Sequence, residues 1–215
     1  MSRVRVHNLT ISLDGYGAGE PRTADAPFGH GAHIMDWFKA TRSFHGMVGD
    51  PAGGETGIDD DFAGRWGEGI GVEVMGRGKY APGSGTWPEE WRGWWGEEPP
   101  FHTPCVVLTH HPREPLELAG GTTFHFLDAS PADALARARE LAPGTDVRLG
   151  GGVTTVRAFL EAGLVDYLHL AIAPVLLGRG SRLWGEGLEG LEHQFEDVRV
   201  TSTPSGTTHV EFERP

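Results

Sequence analysis

Apolar and polar positions alternate over residues 3–13, with Val4, Val6, Leu9 and Ile11 as the apolar set, which predicts a first strand that stops at the turn pair Asp14-Gly15. Residues 21–31 show no period and read as loop. Ile34, Trp37, Phe38 and Thr41 then recur at helical spacing, predicting a helix over residues 34–44. A glycine- and acid-rich loop follows over residues 46–57. Asp59-Asp-Asp-Phe-Ala-Gly-Arg-Trp reads as a capped, acidic helix start. Val72-Glu-Val-Met75 predicts a strand, and Gly76-Arg-Gly-Lys-Tyr80 predicts a turn out of it. Residues 82–100 form a connection carrying Trp87, Trp91, Trp94 and Trp95, which cover the core or an oligomer contact. Strands are expected over 104–109 and 122–127, and a helix capped by Ser130 over 131–141.

The most informative segment comes next. Val147 and Leu149 end an apolar run, Gly150, Gly151 and Gly152 follow, and Val153, Val156, Phe159 and Leu160 recur at helical spacing up to Gly163. Strand, glycine turn and helix in that order place free backbone N–H groups and the positive end of a helix dipole around a space without side chains. That is a site for the diphosphate of a nucleotide. It is neither a Walker loop nor the G-x-G-x-x-G fingerprint. Expected strands over residues 167–175, 194–203 and 207–213, with a short one near Leu183, complete the chain. Strands alternating with helices up to residue 163 predict an α/β fold with a mostly parallel central sheet. The strand-rich tail with its turn at Pro204-Ser-Gly206 predicts an antiparallel C-terminal hairpin at one edge. No stretch reads as a linker, so residues 1–215 are expected to form one domain. Ligands of such sheets bind beyond the carboxyl ends of the strands, which gathers Asp14-Gly15, Gly76 to Lys79, Thr109 to Arg113 and Gly150 to Thr155.

Composition narrows the partners. The 215 residues carry a formal net charge of −12, which argues against nucleic acid or an anionic membrane as partner and leaves a small molecule. Cys105 is the sole cysteine, so no intrachain disulfide forms. The start of the chain lacks a hydrophobic signal segment, and a cytoplasmic protein is expected. His110 and His111 lack a Cys or carboxylate at ligand spacing, so no metal site is expected.

The motifs Ile11-Ser-Leu-Asp-Gly-Tyr16, Val74-Met-Gly-Arg-Gly-Lys-Tyr80, Pro100 to His110, Leu149-Gly-Gly-Gly-Val-Thr-Thr155 and Gly163-Leu-Val-Asp to Pro174-Val-Leu-Leu-Gly-Arg-Gly180 occur in order. Together they resemble the dihydrofolate reductase-like family, which includes the C-terminal reductase domain of bacterial riboflavin biosynthesis proteins and stand-alone relatives. The resemblance implies a dihydrofolate reductase-like fold and an NADPH site, without a substrate. It also implies that the segment around Arg179 lies near a dimer contact, consistent with a homodimer.

With that site in mind, Gly150, Gly151, Gly152 and the amides of Val153 and Thr154 are expected to hold the diphosphate, with the hydroxyls of Thr154 and Thr155 adding hydrogen bonds. Gly76 and Arg77 are expected on the other side of the cofactor, Arg77 as a phosphate donor or alternatively in a surface ion pair. Thr109, His110, His111 and Arg113 follow a strand where family members meet the adenosine 2′-phosphate. No acid precedes Glu114 there, which favours NADPH over NADH. Asp14 and Asp36 are the acids expected to supply a proton, although each also reads as an ordinary turn or helix-start residue. Trp37 is expected to face a planar substrate or to pack in the core. The leading expectation is an NADPH-dependent reductase of a small planar heterocycle or conjugated carbonyl compound. The alternatives are the pyrimidine reductase step of riboflavin synthesis and a nucleotide-binding or ligand-sequestering module without turnover.

Overall fold

The computed structural model describes residues 2–83 and 85–215. Strand β1 (Val4–Ser12) and the short β2 (Tyr16–Ala18) are followed by a 3-10 turn at Gly29–Met35 and three short helices. These are α1 (Asp36–Lys39), α2 (Arg42–Met47) and α3 (Ile58–Gly64). Next come β3 (Ile70–Gly76), α4 (Arg77–Tyr80), β4 (Pro104–Leu108), β5 (Leu116–Glu117), β6 (Thr123–Leu127) and α5 (Pro131–Leu141). The chain then forms β7 (Asp146–Gly151), α6 (Val153–Glu161), β8 (Tyr167–Ala173), β9 (Ser181–Arg182), β10 (Asp197–Ser202) and β11 (Thr208–Glu213).

Among the described residues, nine strands form one sheet in the order β10-β11-β8-β1-β7-β3-β4-β6-β5. From β8 to β6 all neighbours are parallel. The hairpin of β10 and β11 adds to β8 antiparallel, and β5 closes the opposite edge. The mostly parallel sheet and its antiparallel C-terminal hairpin are therefore as the periodicity predicts. The strand near Leu183 does not join this sheet: β9 pairs instead with β2 in a separate two-stranded ribbon.

Two local departures have clear causes. Val4 and Val6 share a face with Leu9 and Ile11 although the spacing changes parity, because the register of β1 against β8 shifts between Val6 and Leu9. Asn8, at φ 57°, takes up the extra residue, a conformation that asparagine tolerates better than most. The helix expected over residues 34–44 breaks at Thr41. Its hydroxyl accepts the Phe44 N–H and starts α2 afresh, as a good N-cap residue does. The turn expected at residues 76–80 is the one-turn helix α4.

The two faces of the sheet differ in character. One packs α5 and α6 through Ala134, Leu135, Ala138, Val156, Phe159 and Leu160 against Val72, Val74, Val147 and Leu149. Burying side chains of the larger kinds contributes roughly 1.5–3 kcal/mol each. The other face is apolar at one end, where Tyr80, Phe101, Phe124 and Phe126 meet Trp66, Trp87, Trp91 and Trp95 of the connecting segments. Toward the hairpin it turns polar. His7, His169 and His209 are buried there, with Phe62 of α3 stacked on the last two.

Donors fix the protonation pattern in this polar column. The Asn8 N–H donates to His169 Nδ1 (3.1 Å), so His169 carries its proton on Nε2 and donates to His209 Nδ1 (2.9 Å). His209 Nε2 then donates to Asp59 Oδ1 (2.8 Å). All three imidazoles are held below their usual range chiefly by burial, His7 at about 3.

Candidate active site

A cavity of about 800 Å³ opens where β3, β4, β6 and β7 end and continues under α1 and α2. At its floor β7 runs into the glycine turn. Gly151 adopts φ +105°, the Gly151–Gly152 peptide is cis, and Gly152 caps α6 with no side-chain hydrogen bond to its first turn. The amides of Val153 and Thr154 lie in that first turn, where intrahelical partners are lacking. A Cβ built on Gly152 would meet no atom of the described residues within 4 Å apart from its chain neighbours, and Val153 and Thr154 line the cavity. A Cβ on Gly76 would overlap the Thr155 hydroxyl, which is why β3 and α6 can approach here. An uncapped helix start behind an open glycine is the cradle that a diphosphate requires, and these residues fit a dinucleotide.

The expected site residues divide into two groups. Gly76, Arg77, Thr109, His110, Gly150, Gly151, Gly152, Val153, Thr154 and Thr155 all line the cavity. Asp14, Asp36, Trp37, His111 and Arg113 do not. Asp14 accepts from the Ser12 hydroxyl (2.5 Å) and from the amides of Leu177 (3.1 Å) and Gly178 (2.7 Å), pinning the turn after β8. The Ser12 bond first, with the two amides, holds its carboxyl at about 2. That geometry carries a structural clamp, not the expected proton donor. Asp36 is exposed and pairs with His33 (2.9 Å). Trp37 is buried against Phe38 and His209 and donates from Nε1 to Thr10 Oγ1 (3.1 Å), so it packs in the core and does not face a substrate.

The arginines expected at phosphates are engaged elsewhere. Arg77 donates to the carbonyls of Pro82, Gly83 and Gly85 and lies over Trp87. Arg113 donates to the Tyr80 hydroxyl (2.5 Å) and the Trp91 carbonyl (2.9 Å), with its guanidinium over Phe126. Both hold the tryptophan-rich connection onto the sheet. His111 is exposed, and its amide donates to Thr109 Oγ1 (3.0 Å). On the cavity side this leaves His110, whose Nδ1 meets Asp128 Oδ1 at 3.0 Å.

The opposite half of the cavity was not foreseen. Phe38, Phe44, Trp66, Trp94, Trp95 and Phe101 wall it. Beneath them lies a buried ion cluster. Glu73 on β3 accepts from Lys79 Nζ through Oε1 and from Arg148 Nη1 through Oε2, both at 2.6 Å. Burial would raise the Glu73 carboxyl, yet the two cations outweigh it and hold it lowered. Burial lowers Lys79 against the pull of Glu73. Removing Glu73 would strand two buried cations at a cost of about 3–5 kcal/mol. A Cβ on Gly150 would overlap both Glu73 Oε1 and Lys79 Nζ, so that glycine makes room for the ion cluster.

Comparison with known proteins agrees with this architecture. The RibD C-terminal domain family matches residues 5–208. Over 70 residues the chain is 33% identical to the uncharacterized protein YyaP of Bacillus subtilis (strain 168), a match spanning 33% of this chain and 36% of that protein. Among solved structures, a protein from Shewanella sp. PV-4 named for riboflavin biosynthesis superposes with a TM-score of 0.58 at 19% identity, covering 100% of this chain and 99% of the other. Acinetobacter baumannii RibD gives 0.53 at 16% identity. The Thermotoga maritima deaminase/5-amino-6-(5-phosphoribosylamino)uracil reductase gives 0.52 at 15%. This chain spans only 58% and 57% of those last two proteins. At these identities the likeness establishes a shared α/β fold.

Proposed function

The chain belongs to the RibD C-terminal domain family, and from that premise we propose that it is an NADPH-dependent reductase of a small planar heterocycle or conjugated carbonyl compound. The observation that carries this reading is the open glycine cradle at the start of α6, which adjoins an aromatic-walled chamber in one continuous cavity. Gly150 to Gly152 and the amides of Val153 and Thr154 hold the diphosphate, and Thr155 adds its hydroxyl. His110, whose Nδ1 meets Asp128, and Thr109 line the same cavity and would hold the 2′-phosphate. Bound NADPH supplies a hydride, so the protein's tasks are to position the substrate and exclude water. Phe38, Phe44 and Trp94 present flat, apolar surface for that purpose. Neither Asp14 nor Asp36 lines the chamber, so the accompanying proton comes from another lining group or from water.

Titration with NADPH and NADH, followed through the tryptophans of the cavity, tests the cofactor assignment. NADPH should bind more tightly, and His110→Ala should weaken it about tenfold while leaving NADH unchanged, the scale of one exposed charge-assisted bond. Absence of NADPH binding by the parent would overturn the reading. Binding without oxidation of NADPH across planar heterocycles, quinones and enones would leave a sequestering module instead.

A further inference from the structure

We propose that Lys79 and Arg148, held by Glu73, form the floor of a substrate subsite that recognises a planar aromatic ligand through a single negative charge, in the first instance a carboxylate. The inference deepens the reductase reading and rests on this half of the cavity taking the substrate.

Three observations support it. First, the cluster has donors to spare. One hydrogen of Lys79 Nζ and one of Arg148 Nη1 go to Glu73, each group has further hydrogens, and both residues line the cavity. Arg148 is about nine-tenths buried, and its Nε has no partner among the described residues. Second, the setting is aromatic. Arg148 lies 5.0 Å from the Trp66 ring centroid, while Lys79 Nζ lies 5.5 Å from Phe101 and 5.9 Å from Trp95. A flat ring fits between these walls with its acidic substituent on the cations. Third, the charge is balanced for a monoanion. Two cations and one carboxylate leave one positive charge in a protein whose net charge is −12. A carboxylate neutralises that residue of charge, whereas a phosphate dianion would leave a buried excess. The cluster lies against Gly150, two residues before the open space at Gly152.

The test uses three probes of one shape: 2-naphthoate, neutral 2-naphthamide and dianionic 2-naphthyl phosphate. Calorimetry is run on the whole protein with and without saturating NADPH, whose own binding is measured directly. Naphthoate should bind at least about tenfold more tightly than the amide, the worth of a charge-assisted contact, and more tightly than the phosphate. It should bind alongside NADPH. Lys79→Met should bring naphthoate down to the level of the amide. Glu73→Gln, which keeps the shape and raises the local charge to two, should move the preference toward the phosphate, and the parent's own ranking of the three probes keeps the idea testable if either variant fails to fold. Equal binding of acid and amide, preference of the parent for the phosphate, or competition between naphthoate and NADPH would each overturn the proposal. If naphthoate fails while NADPH binds, the subsite falls and the reductase reading stands. If NADPH fails while naphthoate binds selectively, the reductase reading falls and the subsite stands.

Discussion

Gly152→Val separates a ligand site from a structural turn more cleanly than any other change in the glycine run. Gly151 has φ +105°, so a side chain there strains the backbone whether or not a ligand binds. Gly150→Ala would push a methyl into Glu73 and Lys79 and break the ion cluster. Gly152 has φ −70° and ψ −175°, which any residue adopts, and its Cβ direction is empty to 4 Å. Losing glycine at an N-cap costs a few tenths to about 1 kcal/mol, and the stiffer unfolded chain offsets about 0.4–1 kcal/mol of that. The free protein should therefore change stability by less than about 1 kcal/mol.

The bound state should suffer far more. The valine methyls occupy the space before the Val153 and Thr154 amides, so a diphosphate loses two charge-assisted hydrogen bonds. At about 1.5–3 kcal/mol each, the loss is roughly 3–6 kcal/mol, or about two to four powers of ten in Kd. Thermal melting gives the first quantity and calorimetric titration with NADPH the second. A folded Gly152→Val protein that binds NADPH like the parent would refute the placement of the diphosphate. Gly150→Ala serves as the contrast, with the stability loss leading.

Asp14→Asn should lower stability by about 1–2 kcal/mol, because a neutral amide accepts less strongly from Ser12, Leu177 and Gly178, and should leave NADPH affinity unchanged. Unaltered stability with lost turnover would return Asp14 to the reaction. The buried imidazole of His7 predicts acid sensitivity: its folded value near 3 lies below the unfolded 6.5, so its contribution is intact above about pH 6.5 and is lost as pH falls toward 3. At pH 5 the loss from His7 alone is about 2 kcal/mol. Urea unfolding of the parent and His7→Phe at pH 7.5 and 5.0 should show the variant losing less by that amount, and equal losses would contradict the burial argument.

What was legible in the sequence is what a local pattern can encode. Ser130 and Pro131 start α5 as their types predict, and Gly163 closes α6 at φ 65°. The glycine cradle is legible for the same reason: its function resides in backbone atoms that three consecutive glycines announce. Side-chain destinations are another matter. Arg77 and Arg113 are the right residue type for a phosphate, but long side chains reach carbonyls of the 82–91 connection, a stretch with no period from which to place it. Strands of two or three residues, such as β2 and β5, are too short to express an alternation.

The ion cluster shows where a signal existed but needed the sheet to interpret it. Val72-Glu-Val74 and Val147-Arg-Leu149 each set a charge between apolar residues inside a strand, a position that a buried parallel strand rarely gives to an unpaired ion. The charges are opposite, but 75 positions separate them. Only the register of β3 on β7, which puts Glu73 level with Arg148, turns two local anomalies into one pair. Lys79 then arrives from α4, just after the same strand, and makes the charge uneven. A pair alone would close on itself as structure. The third charge is what leaves a donor surface facing the chamber, so the sequence feature worth seeking in related chains is a strand-borne acid and base joined by a second base shortly after the first strand ends.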